Sequence, residues 1–132
     1  MLKIIGKKIY LTRGDSAYIN ISIRMPDGKY YQLADGDEIW FAVKRKTTDK
    51  QYLIAPKTLT PYEVKDGEEL QYNAYLTILP EETKNLPFGS FVYDISLVNE
   101  KRNYVTTIIE PNPFVILEEV GSTRERGGAR HA

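Results

Sequence analysis

The chain contains no cysteine and only one histidine in 132 residues. Without thiols there are no disulfides, thiolate zinc sites or cysteine nucleophiles, so stability must come from packing. With His131 as the sole imidazole, close to the chain end, neither a Ser-His-Asp triad nor a histidine metal cluster has support. Long apolar runs are also missing: no window approaches the roughly 18 residues of a membrane span. Met1 to Lys8 begins hydrophobically but lacks the length and small-residue cleavage site of a signal peptide, which predicts a protein made in the cytosol. Nor is there an excess of either charge. Lys and Arg total 18 and Asp and Glu total 18, giving a net charge of zero and no electrostatic case for nucleic-acid or membrane partners. No phosphate-cradling glycine loop precedes a helix. The chain is therefore read as non-enzymatic, with no cofactor and no metal.

What is present is alternation with period two, the pattern of strands buried on one face. In Ala17 to Met25, Ile19, Ile21, Ile23 and Met25 share one face; Pro26-Asp27-Gly28 then supplies a turn into Lys29 to Leu33. Glu38 to Lys46 places Ile39, Phe41 and Val43 on a core face, with Trp40, Ala42 and Lys44 opposite. Gln51 to Ile54 starts a weaker strand that Pro56 confines to an edge or ends early. After the Asp66-Gly67 turn, Leu70, Tyr72, Ala74, Leu76 and Ile78 run in step, as do Phe91, Tyr93, Ile95 and Leu97. Tyr104 to Glu110 and Phe114 to Glu119 complete the set, separated at Pro111-Asn112-Pro113 by a kink or a crossing between sheets.

No window carries a sustained 3.6-residue stripe, so helix is limited to one turn near residues 80–84, where Pro80 and two glutamates suit a helix start. Seven to nine short strands predict an all-β fold: an immunoglobulin-like β-sandwich of two antiparallel sheets spanning residues 1–119, with an up-and-down barrel as the alternative. Residues 120–132 form a basic tail in which Gly121 to Ala132 holds no bulky apolar residue, so it is predicted to be a flexible docking arm.

Several motifs invite chemistry and are read as structure. Asp35, Asp37 and Glu38 offer oxygens to a hard cation but lack a complete calcium-loop pattern. Glu81 with Glu82, and Asp94 with Glu110, show no spacing that defines a catalytic carboxylate pair. Arg13-Gly14-Asp15 is read as a turn rather than an adhesion motif. The one compositional excess with functional content is aromatic: ten tyrosines and one tryptophan. Tyr30, Tyr31, Tyr52, Tyr62 and Tyr75 fall in loops or at outward strand positions and, with tail residues Arg124, Arg126 and Arg130, form the candidate protein interface. A carbohydrate-stacking platform using tyrosines and Trp40 is the alternative.

Three stretches follow one another in a recognisable order: Leu11-Thr12-Arg13-Gly14-Asp15 leading into Ala17 to Ile21, Pro26-Asp27-Gly28-Lys29-Tyr30-Tyr31, and Asp37 to Lys44. The closest-matching stretch is Leu79-Pro80-Glu81-Glu82-Thr83 followed by Leu86-Pro87-Phe88-Gly89-Ser90-Phe91-Val92-Tyr93-Asp94-Ile95. Over residues 8 to 119 the chain resembles tailed-bacteriophage structural proteins, especially the N-terminal immunoglobulin-like domain of upper baseplate proteins and related small tail or neck proteins. The resemblance implies a virion protein assembled in the host cytoplasm. Its partners would be other virion proteins, as an oligomer in the baseplate, tail, neck or capsid; a host-surface glycan is the less favoured partner. It carries no catalytic residues.

Overall fold

A computed structural model describes residues 2–63, 65, 67–69 and 71–118. The described residues are all-β apart from one short helix. The strands are β1 (Leu2–Ile5), β2 (Lys8–Thr12), β3 (Ala17–Ile21), β4 (Asp37–Lys44), β5 (Tyr52–Thr58), β6 (Thr60–Pro61), β7 (Ala74–Ile78), β8 (Gly89–Asn99) and β9 (Tyr104–Leu117), with α1 (Pro80–Thr83) between β7 and β8.

The strands form two sheets, in the orders β1-β2-β9-β8-β4-β5 and β3-β7-β6. Every pairing is antiparallel except β2 with β9, which run parallel from Ile9 opposite Phe114 to Thr12 opposite Leu117. The two inner faces share one apolar core, giving a β-sandwich. Ile39, Phe41 and Val43 are buried as the alternation predicted, as are Phe91, Tyr93, Ile95 and Leu97. Phe41, Tyr93 and Phe114 meet at its centre, with ring centroids 5.8 to 6.4 Å apart.

Strand boundaries depart from the pattern where side chains take over backbone pairing. β3 stops at Ile21, since the buried Asn73 side chain satisfies the Ile23 amide. Met25 is exposed, and Lys29 to Leu33 forms no strand, contributing only a bridge between Arg24 and Tyr30. Asn73 and Ala74 are both buried, which breaks the alternation and turns Tyr72 outward. Leu70 and Asp66 lie outside the described residues. β5 runs through Pro56, as an edge strand permits. Pro111 and Pro113 do not divide β9: it continues along β8, and the irregularity falls in register shifts between Tyr93 and Ser96.

The Pro-Glu turn and Pro-x-Gly corner join the two sheets. Glu82 accepts the Leu79 amide at 2.9 Å and pairs with Lys57 Nζ at 2.8 Å; that ammonium also donates to the Thr77 carbonyl at 2.6 Å. Gly89 opens β8 at φ +135°, a conformation that favours glycine. Arg13-Gly14-Asp15 packs onto this corner, with the Arg13 guanidinium 4.0 Å from the Phe88 ring centroid and the Gly14 amide donating to Thr83 Oγ1 at 2.9 Å.

A candidate interface on the three-stranded sheet

Because side chains alternate along a strand, burying Ala17, Ile19 and Ile21 of β3 turns Tyr18 and Asn20 outward. On β7, burying Ala74, Leu76 and Ile78 turns Tyr75 and Thr77 to the same outer face. Register then sets the neighbours: Asn20 lies opposite Tyr75, Tyr18 opposite Thr77, and Thr60 of β6 on the far side of Tyr75. Tyr18 and Tyr75 are therefore diagonal neighbours, a spacing that aromatic rings can bridge. Their rings stack with centroids 4.7 Å apart and planes 21° apart.

Tyr62 extends the line of β6, held by its amide donating to the Asn73 carbonyl at 3.0 Å. Its ring lies 5.1 Å from that of Tyr75 and 6.2 Å from that of Tyr72. The Tyr62 hydroxyl donates to Asn20 Oδ1, so the Tyr18 hydroxyl, 3.0 Å from it, acts as donor to the Tyr62 oxygen. That bond holds the proton on Tyr18, and its phenol is pushed up to about 12, with a smaller contribution from burial. Four tyrosines thus form one cluster locked by a hydroxyl–hydroxyl–amide chain. Tyr18 and Tyr72 remain substantially exposed.

The outward strand positions of this sheet are Tyr18, Asn20, Thr60, Tyr75 and Thr77, none of them charged. In a chain where 27% of residues are charged, an uncharged solvent-facing sheet calls for a cause. Depletion of charge with enrichment in tyrosine is the composition of an interface core. The outer face of the larger sheet is ordinary by comparison, carrying Lys44 and Asp94 among its outward residues.

The other candidates scatter. Tyr62 and Tyr75 are the two that come together, joined by Tyr18 and Tyr72, which are not among the residues expected at the interface. Tyr30 packs under Arg24, whose guanidinium is 4.3 Å from the ring centroid and donates to the hydroxyl at 3.0 Å. Tyr31 turns inward: its hydroxyl donates to Asp37 Oδ2 at 2.6 Å, and its ring packs against the core. That bond, then burial, raises its phenol to about 12. Tyr52 lies on β5 in the other sheet, with Lys44 Nζ 4.8 Å from its ring centroid. Trp40 is on the outer face of that same sheet. Arg124, Arg126 and Arg130 lie outside the described residues. Strand register could have revealed Tyr18, since it alternates with three buried residues.

Among the described residues no group of three or more acidic or histidine side chains is arranged to hold a metal ion. The Asp37 carboxylate is occupied structurally: Oδ2 accepts Tyr31 and the Ala34 amide at 2.7 Å, and Oδ1 accepts Asn99 Nδ2 at 2.8 Å. Burial pushes its pKa up, but the three hydrogen bonds together with the Arg102 charge outweigh burial and leave it below the ordinary value. Comparison with family models, curated proteins and solved structures finds no match to this chain.

Proposed function

We propose that this β-sandwich is a non-enzymatic structural subunit of a bacteriophage virion, working through protein–protein contacts. The observation that carries the reading is the uncharged four-tyrosine face of the β3-β7-β6 sheet. Tyr18, Tyr62, Tyr72 and Tyr75 supply rigid amphipathic area, and their hydroxyl chain orders the rings before any partner arrives, reducing the entropy lost on docking. The virion context comes from the sequence resemblance at Leu79 to Thr83 and Leu86 to Ile95.

The strand order supports an immunoglobulin-like topology of variable type. On this reading β3, β7 and β6 would take the places of strands B, E and D, and β4, β8 and β9 those of C, F and G, with β5 as the added C′ strand. Such domains present loops and edges on a rigid frame and need no catalytic centre.

The test is compositional. Mass spectrometry of particles purified from the producing host should find this chain at a stoichiometric level, and particles carrying Tyr18→Ala with Tyr75→Ala should contain less of it. Its absence from intact particles would end the virion assignment. One observation favours a second reading, a carbohydrate-binding module: stacked rings beside the Asn20 amide on an uncharged face suit a neutral sugar. Glycan-array binding abolished by Tyr75→Ala would select that reading.

A further inference from the structure

Each sheet has two edges, and three of the four are protected against pairing with another chain. β6 is only two residues long and contains Pro61. β5 contains Pro56 and Lys57, and its register with β4 is broken at two places. β1 is four residues long and includes Lys3. Short length, proline, lysine and bulges are the devices by which edge strands avoid intermolecular pairing.

β3, five residues long, carries no proline, lysine or bulge. Its sequence, Ala17-Tyr18-Ile19-Asn20-Ile21, lacks charge, proline and glycine, and it pairs with β7 over all five residues without a register shift. Among the described residues no strand lies on its other side, because β2 crosses to pair with β9 instead. The space beside it is an open, mostly apolar cleft of about 190 Å³, lined by Ile9, Ile19, Ile21 and Leu76, with Lys7 and Ser22 also in its lining.

We infer that β3 is a self-association edge, pairing antiparallel with β3 of a second copy about a two-fold axis at Ile19. The strand is self-complementary in that register. Ile19 meets Ile19 of the partner subunit, and Ala17 meets Ile21 of the partner subunit, so apolar positions stay on the inner faces. Tyr18 meets Asn20 of the partner subunit on the outer faces. A slip by one residue would place Tyr18 among the inner positions, so the alternation selects the register. A second copy fits better than a charged partner, since the strand carries no charge and the chain's net charge is zero, removing long-range repulsion between copies. The product is one six-stranded sheet that merges two tyrosine faces into a single surface. This inference concerns self-association alone and does not rest on the virion assignment.

Sedimentation analysis of the full chain over a concentration series tests it. Wild type should approach twice the 15.2 kDa chain mass. Tyr18→Lys with Asn20→Lys places like charges directly opposite across the two-fold and should halve the limiting mass. Tyr18→Lys with Asn20→Glu places opposite charges there and should restore it. A wild type that stays monomeric overturns the pairing, and so does a dimer insensitive to both double variants. If the variants fail to fold, wild-type hydrogen exchange decides. Amides of residues 17–21 should gain protection with concentration while those of β5 do not, and unchanged exchange refutes the inference. Recovery of the chain from particles despite a monomeric wild type would leave the contact reading standing and remove only the β3 pairing.

Discussion

The side chain of Asn73, 1% exposed, accepts the Ile23 amide on Oδ1 at 2.6 Å and donates from Nδ2 to the Tyr31 carbonyl at 2.6 Å. One amide thus stands in for a strand, joining the chain beyond β3 to the segment that leads into β4. Asn73→Ala leaves a donor and an acceptor without partners and should cost about 2–6 kcal/mol, since each buried unsatisfied polar group costs about 1–3 kcal/mol. Urea unfolding measures it; a midpoint within error of wild type would show that the two backbone groups find water or other partners.

Thr83 ties the Arg13-Gly14-Asp15 turn to the corner through its buried hydroxyl. Thr83→Val keeps the volume and removes the acceptor, so it should cost about 1–3 kcal/mol, while Thr83→Ser keeps the bond and costs less. Equal losses in the two variants would show that packing rather than the hydrogen bond governs this position.

Two aspartates give stability opposite dependences on pH. The Asp37 carboxyl lies below its ordinary 3.8, so its contribution is fully present above that value and is lost as pH falls through the lower folded-state pKa. The Asp94 carboxyl is raised by burial, only partly offset by Lys44, so ionising it opposes folding and stability falls as pH rises from 3.8 through the folded-state value. At neutral pH, Asp37→Asn should be less stable than wild type and Asp94→Asn more stable. Denaturant midpoints measured from acid to neutral pH check both signs, and a destabilised Asp94→Asn would contradict the second.

Gly36 has φ +88°, and a Cβ there would lie 3.0 Å from Lys101 Cδ and 3.1 Å from Asn99 Oδ1. The lysine stem can move aside. Asn99 cannot, because it is fully buried and donates to Asp37 and to the Asp35 carbonyl. Gly36→Ala should therefore cost about 1–3 kcal/mol, the usual range for a residue forced into such a backbone conformation. Thermal unfolding reads the change, and Gly28→Ala is the comparison: it shares the positive φ but has open space where the Cβ would go.

Tyr62→Phe breaks the hydroxyl chain while keeping the rings. Tyr18 loses its acceptor, and its phenol should fall from about 12 toward the ordinary value of 10.0. Titration of tyrosinate absorbance, compared with wild type, shows one fewer high-pH phenol; an unchanged titration curve would contradict the chain as drawn.

Local pattern was sufficient to determine an all-β chain with a core on Ile39, Phe41, Val43, Phe91, Tyr93, Ile95 and Leu97, and to mark the Pro80 turn. These depend on strand periodicity and backbone chemistry, which act over a few residues. Tertiary structure decided what distant segments do to one another. Asn73 ends β3 from 50 residues away. β2 chooses β9 over β3 and so leaves an edge open. Tyr18, Tyr62, Tyr72 and Tyr75, spread over three strands and their margins, become one face only when β3, β7 and β6 align. Alternation tells which side of a strand a tyrosine occupies. Only sheet order and register determine which other tyrosines it meets there, because those depend on long-range pairing that a local pattern does not encode.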